Sequence, residues 1–157
     1  MHPTLYFAIA TSTFLKNHLE LLIKVVISDS YSPKLMESKL QKKNLDSPDE
    51  IISSEKEKIE LVNLGSFNIA RVTLEPGWSW EKYVKPQEKT GSCQVSHTTL
   101  ILSGRVRTVM DDGIVVDSGP GDVAIVPPGH NTSVTGDEPC ICIDFSGIEE
   151  YIKGRRS

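Results

Sequence analysis

Gly119-Pro120-Gly121-Asp122-Val123-Ala124-Ile125-Val126-Pro127-Pro128-Gly129-His130 decides the fold of this chain. A short β-rich run lies between two clusters of glycine and proline. Neither Pro127 nor Pro128 can donate to a sheet ladder, so the strand must end there. The same rhythm continues outward. Upstream lie Glu75-Pro76-Gly77-Trp78, then Ser96-His97-Thr98-Thr99-Leu100-Ile101-Leu102-Ser103-Gly104, then Asp111-Asp112-Gly113. Downstream lies Cys140-Ile141-Cys142-Ile143-Asp144. Short apolar runs at near-regular spacing, separated by turn residues, read as a sandwich or barrel.

The spacing predicts strands over residues 58–64, 66–74, 78–84, 95–102, 105–110, 114–116, 122–126, 131–134 and 140–145. In the second of these, Asn68, Ala70, Val72 and Leu74 share one face, because side chains alternate along a strand. Asp112-Gly113 is the clearest hairpin signal, since both positions accept a positive φ. No helical pattern interrupts the series. An all-β chain must manage its sheet edges, and a two-sheet jelly roll does so. Residues 148–157 read as a C-terminal tail, basic toward its end.

At 157 residues the chain suffices for one domain and an extension. A formal net charge of -4 argues against a nucleic-acid surface, and no Lys/Arg cluster overrides it. Three cysteines, an odd number without a paired framework, fit a reducing cytoplasm better than secretion. Residues 1–57 read as an N-terminal extension and linker ahead of a domain at 58–147. Leu15, Leu19, Leu22, Ile23 and Val26 fall at helical spacing, which predicts an amphipathic helix over residues 13–28. Lys16, His18, Glu20 and Lys24 interrupt the apolar stretch, so it reads as no membrane span. Met36 offers a second start, and every recognisable feature lies beyond it. Residues 31–57 are polar and charge-mixed, with at most one helical turn expected after Ser47-Pro48.

Residues 58–145 resemble the cupin superfamily, specifically its small single-domain members. That family carries G-x5-H-x-H-x3,4-E-x6-G followed by G-x5-P-x-G-x2-H-x3-N. Gly121, Pro127, Pro128 and Gly129 match the start of the second motif, and His97 with Gly104 matches the end of the first. The resemblance implies a jelly-roll barrel that binds one divalent transition metal (Zn, Fe, Mn, Ni or Cu) in its cavity. It also implies a small-molecule ligand and a homodimer, whereas the charge balance and the interrupted apolar stretch predict neither nucleic-acid nor membrane partners.

The chain departs from the pattern at the positions that carry chemistry. His97 stands where the family has its glutamate ligand. Thr132 and Gly136 occupy the second-motif histidine and asparagine positions, and His130 lies two residues before the former. Counting from Pro76-Gly77, the first-motif histidine positions fall on Tyr83 and Lys85. Counting back from His97, they fall on Gly91 and Cys93. The candidate metal ligands are therefore His97, His130, Cys93 and Tyr83. Thiolate and imidazole suit Zn²⁺, Fe or Cu better than a hard cation. Each residue also has a plain alternative: a small core cysteine, a turn histidine, a hydrogen-bonded interior histidine. Two functions follow from the sequence. One is a metal-dependent cupin that binds, and as an enzyme transforms, a small organic molecule. The other is a metal-free module that binds or senses a small ligand.

Overall fold

Tight turns between antiparallel neighbours set the registers of the sheet. The structure, a computed structural model, describes residues 39–153. Strand β1 (Glu50–Ser54) joins β2 (Glu57–Leu64) through Glu55-Lys56, with Ser54 opposite Glu57. Lys56 takes a left-handed φ of 64° there, rare for a residue with a Cβ. Its carbonyl accepts from Glu75 N at 2.9 Å, which holds the turn. Strand β2 joins β3 (Phe67–Leu74) through Gly65-Ser66. Ser79 then caps a short helix, α1 (Trp80–Tyr83), accepting from Lys82 N, and a 3-10 turn with Pro86 near its start follows. The remaining strands are β4 (His97–Ser103), β5 (Val106–Met110), β6 (Val115–Ser118), β7 (Val123–Val126), β8 (His130–Val134) and β9 (Cys140–Ser146). Helix α2 (Ile148–Lys153) closes the described chain.

The strands form two antiparallel sheets. One has the order β1-β2-β3-β9-β4-β7, and the other β6-β5-β8. Because sequence-distant strands are neighbours (β3 with β9, β5 with β8), the chain crosses repeatedly between sheets, as a jelly roll requires. Period-two alternation aims one set of side chains between the sheets. Val72 and Leu74 of β3, His97, Thr99 and Ile101 of β4, and Cys140, Cys142 and Asp144 of β9 line one wall of a cavity. Val106 and Thr108 of β5 and His130 and Thr132 of β8 line the opposite wall. Helix α2 shuts one side with Ile148 and Ile152, both buried. The outer edge, β7, leaves Val123 and Ile125 68% and 75% exposed.

Three local expectations are corrected. The segment read as linker contains β1, because the β1–β2 turn is built from Glu55-Lys56 rather than from residues that announce a turn. Residues 78–84 are not a strand: the Ser79 cap and Pro86 favour helical turns over the β propensity of Trp78, Trp80, Tyr83 and Val84. The C-terminal tail begins as a helix, whose Ile148 and Ile152 lie one turn apart and share a buried face. The helix expected over residues 13–28 lies outside the described residues. Among the described residues, no helix is long and apolar enough to cross a membrane.

Candidate metal centre

Backbone pairing brings the donors together. The loop residue Cys93 forms an isolated β-bridge with His130. Its N–H donates to His130 O at 2.8 Å, and Gly129 N–H donates to Cys93 O at 2.7 Å. Gly129 turns the chain into β8 with a φ of +87°. His97 opens β4 directly across the cavity. The ligand atoms of Cys93, His97 and His130 consequently all lie within 4.8 Å of one another.

Both imidazoles are oriented from behind. His97 Nδ1 lies 2.6 Å from Asp144 Oδ2, and His130 Nδ1 lies 2.6 Å from Pro127 O. A carbonyl and a carboxylate can only accept, so each Nδ1 carries the proton and each Nε2 is the atom free to face the cavity. Asp144 is itself fixed, accepting from Ser146 N at 2.8 Å through its other oxygen. Such outer partners set ring orientation and raise the basicity of metal-binding histidines. The His97 and His130 rings meet edge-on, with centroids 5.6 Å apart.

The electrostatics of the metal-free site follow from the same contacts. Burial works against ionisation of Cys93, but bonding to His130, to His97 and to the Val95 N–H outweighs it and takes the thiol down to about 6. Burial likewise works against a charge on His97, yet its bond to Asp144, followed by that to Cys93, lifts it to about 9. Nε2–H of His97 therefore faces the Cys93 sulfur, 3.8 Å away, as an imidazolium–thiolate pair. Burial pushes Cys140 up to about 11, and burial together with the nearby Cys140 and Asp144 raises Cys142, so both remain thiols.

This pair makes an unusual prediction about pH. Taken singly, the raised His97 contributes stability that is fully present below 6.5 and lost as pH rises through about 9. The depressed Cys93 contributes stability that is fully present above 9.0 and lost as pH falls through about 6. Between pH 6.5 and 9 the two slopes oppose each other. Folded and unfolded chains each hold one proton on the pair, which folding moves from sulfur to nitrogen. The pair should thus leave metal-free stability flat across that window, while thiolate absorbance from Cys93 appears with a midpoint near pH 6. A midpoint near 9 in an ultraviolet titration, lost in Cys93→Ala, would show that the pair does not form.

Of the residues singled out in the sequence, the structure brings Cys93, His97 and His130 together. Tyr83 is not among the residues lining the cavity; it packs against the core from α1, with Lys82 Nζ 4.9 Å from its ring centroid. The sequence reading missed Asp144, although it continues the inward phase of Cys140 and Cys142. It also missed Tyr151, whose hydroxyl donates to the buried Glu57 at 2.7 Å and whose ring lies 5.6 Å from that of His97. Nothing in the sequence ties those two residues, 94 positions apart, to each other.

No family model matches the sequence, and no curated protein matches it. Solved structures do match. A Rhizobium leguminosarum bv. viciae protein of unknown function aligns with 68% of this chain and 97% of its own length, at 24% identity and a TM-score of 0.50. A cupin-superfamily sugar phosphate isomerase of Silicibacter pomeroyi aligns with 66% of this chain and 73% of its own, at 22% identity and a TM-score of 0.47. A mutant of Bacillus subtilis oxalate decarboxylase aligns with 62% of this chain at 25% identity and a TM-score of 0.47. The chain spans only 27% of that protein. With two antiparallel sheets closing on one cavity, and the Gly121–Pro127–Gly129 spacing leading into β8, the chain has the jelly-roll fold that its resemblance to the cupins implies.

Proposed function

We propose that this chain binds one divalent transition metal through Cys93, His97 and His130 and takes a small organic molecule into the cavity beside it. The observation that carries the reading is the convergence of one sulfur and two imidazoles within 4.8 Å, with both Nδ1 atoms already engaged. That spread is about twice the ~2.0–2.3 Å bond such donors make to a metal. The donor set suits Zn²⁺, Fe, Ni or Cu better than Mg²⁺ or Ca²⁺. Three protein donors would leave a position open to water or substrate, as catalytic sites do.

His97, Asp144 and Cys93 could instead be read as a nucleophilic triad. His130 weighs against that reading. Its Nδ1 is held by Pro127 O, so its Nε2 is the nitrogen free to join the Cys93 sulfur and the His97 ring in a three-donor set, for which a triad has no need. Asp144 acts through His97, orienting the ring and keeping Nδ1 protonated.

Metal analysis of the purified full chain tests the proposal. About one first-row metal per chain is expected, with X-ray absorption showing one sulfur and at least two nitrogens. Asp144→Asn should weaken binding about 10- to 100-fold, the usual cost of losing such an outer partner. A chain that takes up no metal, or holds it through oxygen alone, would shift the reading to a metal-free ligand-binding cavity.

A further inference from the structure

We infer that Asp111 is a positioning residue of the candidate metal centre: through the Ser92 hydroxyl, its carboxylate docks the loop that carries Cys93 onto the turn that carries His130, and so sets the gap between the sulfur and that imidazole. The inference rests on the metal reading proposed above. Asp111 begins the hairpin between β5 and β6, yet that turn does not use its carboxylate. Gly113 N–H donates to Met110 O at 2.9 Å, and Ile114 N–H donates to Asp112 Oδ1 at 3.0 Å. The polar atoms of Asp111 reach toward the site instead. Its N–H donates to Gly129 O at 2.8 Å, and its Oδ2 accepts from Ser92 Oγ at 2.7 Å. The carboxylate also fills the space beside Gly129, where an added Cβ would stand 3.0 Å from Oδ2. One residue thus touches the chain neighbours of two donors, Ser92 before Cys93 and Gly129 before His130.

The Cys93 loop needs such an anchor. Apart from the single bridge at Cys93, residues 88–96 carry no strand or helix between the 3-10 turn and β4. A segment with few ordered contacts opens locally at little cost in free energy. Main-chain bonds tie this one to β8 at Cys93, and side chains secure both flanks. Ser92 is 3% exposed, and its hydroxyl donates to Asp111 while accepting from Gln94 Nε2 at 2.9 Å. Gln94 Nε2 also donates to Ser92 O at 3.2 Å. A hydrogen bond to a carboxylate is stronger than one between neutral groups, so the Ser92–Asp111 bond is the firmer of these ties. Without it, ordering of the loop would be deferred to metal binding and would subtract from affinity.

The test uses the full chain, with Co²⁺ as the probe metal. Asp111→Ala and Ser92→Ala should each weaken Co²⁺ binding at least about tenfold, the lower end of the usual loss for outer partners of metal ligands. Because both remove the same bond, the double variant should be no more than about twofold weaker than either single one. Asp111→Asn keeps an acceptor for the hydroxyl and should recover most of the affinity. Amide exchange in the metal-free chain supplies a readout that a general loss of stability would not move. In either alanine variant the Cys93 and Gly129 amides should lose at least about tenfold in protection, while amides of the β3–β9 ladder keep theirs. Unchanged Co²⁺ affinity, additive losses in the double variant, or equal loss of protection in loop and ladder would each overturn the inference. Ser92→Ala deletes one oxygen and no main-chain bond, so the test does not hinge on the folding of Asp111→Ala. The two readouts separate this inference from the metal reading. Tight Co²⁺ binding that ignores Asp111 would overturn the inference and keep the metal. An unmutated chain that takes up no Co²⁺ would remove the metal reading, and the exchange pattern would then decide by itself whether Asp111 docks the loop.

Discussion

His97→Ala should abolish stoichiometric metal binding. Structural zinc sites in small domains gain about 10–16 kcal/mol from four donors, roughly 3 kcal/mol per donor, so losing one imidazole should cost at least about 100-fold in affinity. Stability should fall as well. Asp144 is 3% exposed and would lose its cationic partner, and breaking such a buried pair costs about 3–5 kcal/mol. The bond from Ser146 N to Asp144 survives and limits the damage. His97→Gln separates the two effects, because its amide can still donate to Asp144 but ligates metal poorly. It should recover part of the melting temperature and none of the metal. Cys140→Ala, at a thiol kept protonated by burial, should retain the metal. Full metal content in His97→Ala, measured by plasma emission on dialysed protein, would remove His97 from the site.

Gly147→Ala should be the most damaging single methyl addition near the site. Gly147 follows β9 with a φ of +92°, a conformation that costs a residue with a Cβ about 1–2 kcal/mol. The added carbon would also overlap the Ser96 carbonyl oxygen and stand 3.0 Å from Val95 Cγ1 and 3.2 Å from His97 Nδ1. Backbone must move to relieve the first contact, so a total loss of about 4 kcal/mol is expected. Gly121→Ala is the control. It shares the left-handed geometry, with a φ of +89°, but has nothing within 4 Å of the new carbon. Only the backbone cost of about 1–2 kcal/mol should appear there. Because Ser96 precedes His97, whatever fraction of Gly147→Ala folds should also bind metal weakly. Denaturant midpoints for the two variants that differ by less than the scatter of the measurement would count against this account.

Much of the site was legible as alternation. A period of two carries His97 inward with Thr99 and Ile101, and the even offset keeps His130 on the face of Thr132. Asp144 was equally legible in principle, since Cys140 and Cys142 set its phase, but a lone aspartate at a strand end does not declare what it bonds. The partnership of Glu57 with Tyr151 was not legible, because it depends on how α2 folds back, and α2 is only six residues long. The β1–β2 hairpin was hidden by its own turn. Glu55-Lys56 carries none of the residues that prefer a left-handed φ, and tertiary contacts enforce it instead. At Trp78–Val84 the side chains favoured a strand, and a single serine hydroxyl with a proline downstream reversed the outcome.

Cys93 differs from the other two donors in where it sits. His97 and His130 each begin a strand, whereas Cys93 hangs on a loop that a few main-chain hydrogen bonds tie to β8. The softness of the donor set is therefore held at one position outside the sheets. Exchanging that sulfur for a carboxylate oxygen would tilt preference toward harder ions, and exchanging it for a third imidazole would remove the soft donor, without a strand being rebuilt. If the proposed site is loaded, a barrel arranged this way would let the preferred ion change by single substitutions in a loop, while the two strand histidines stay where they are.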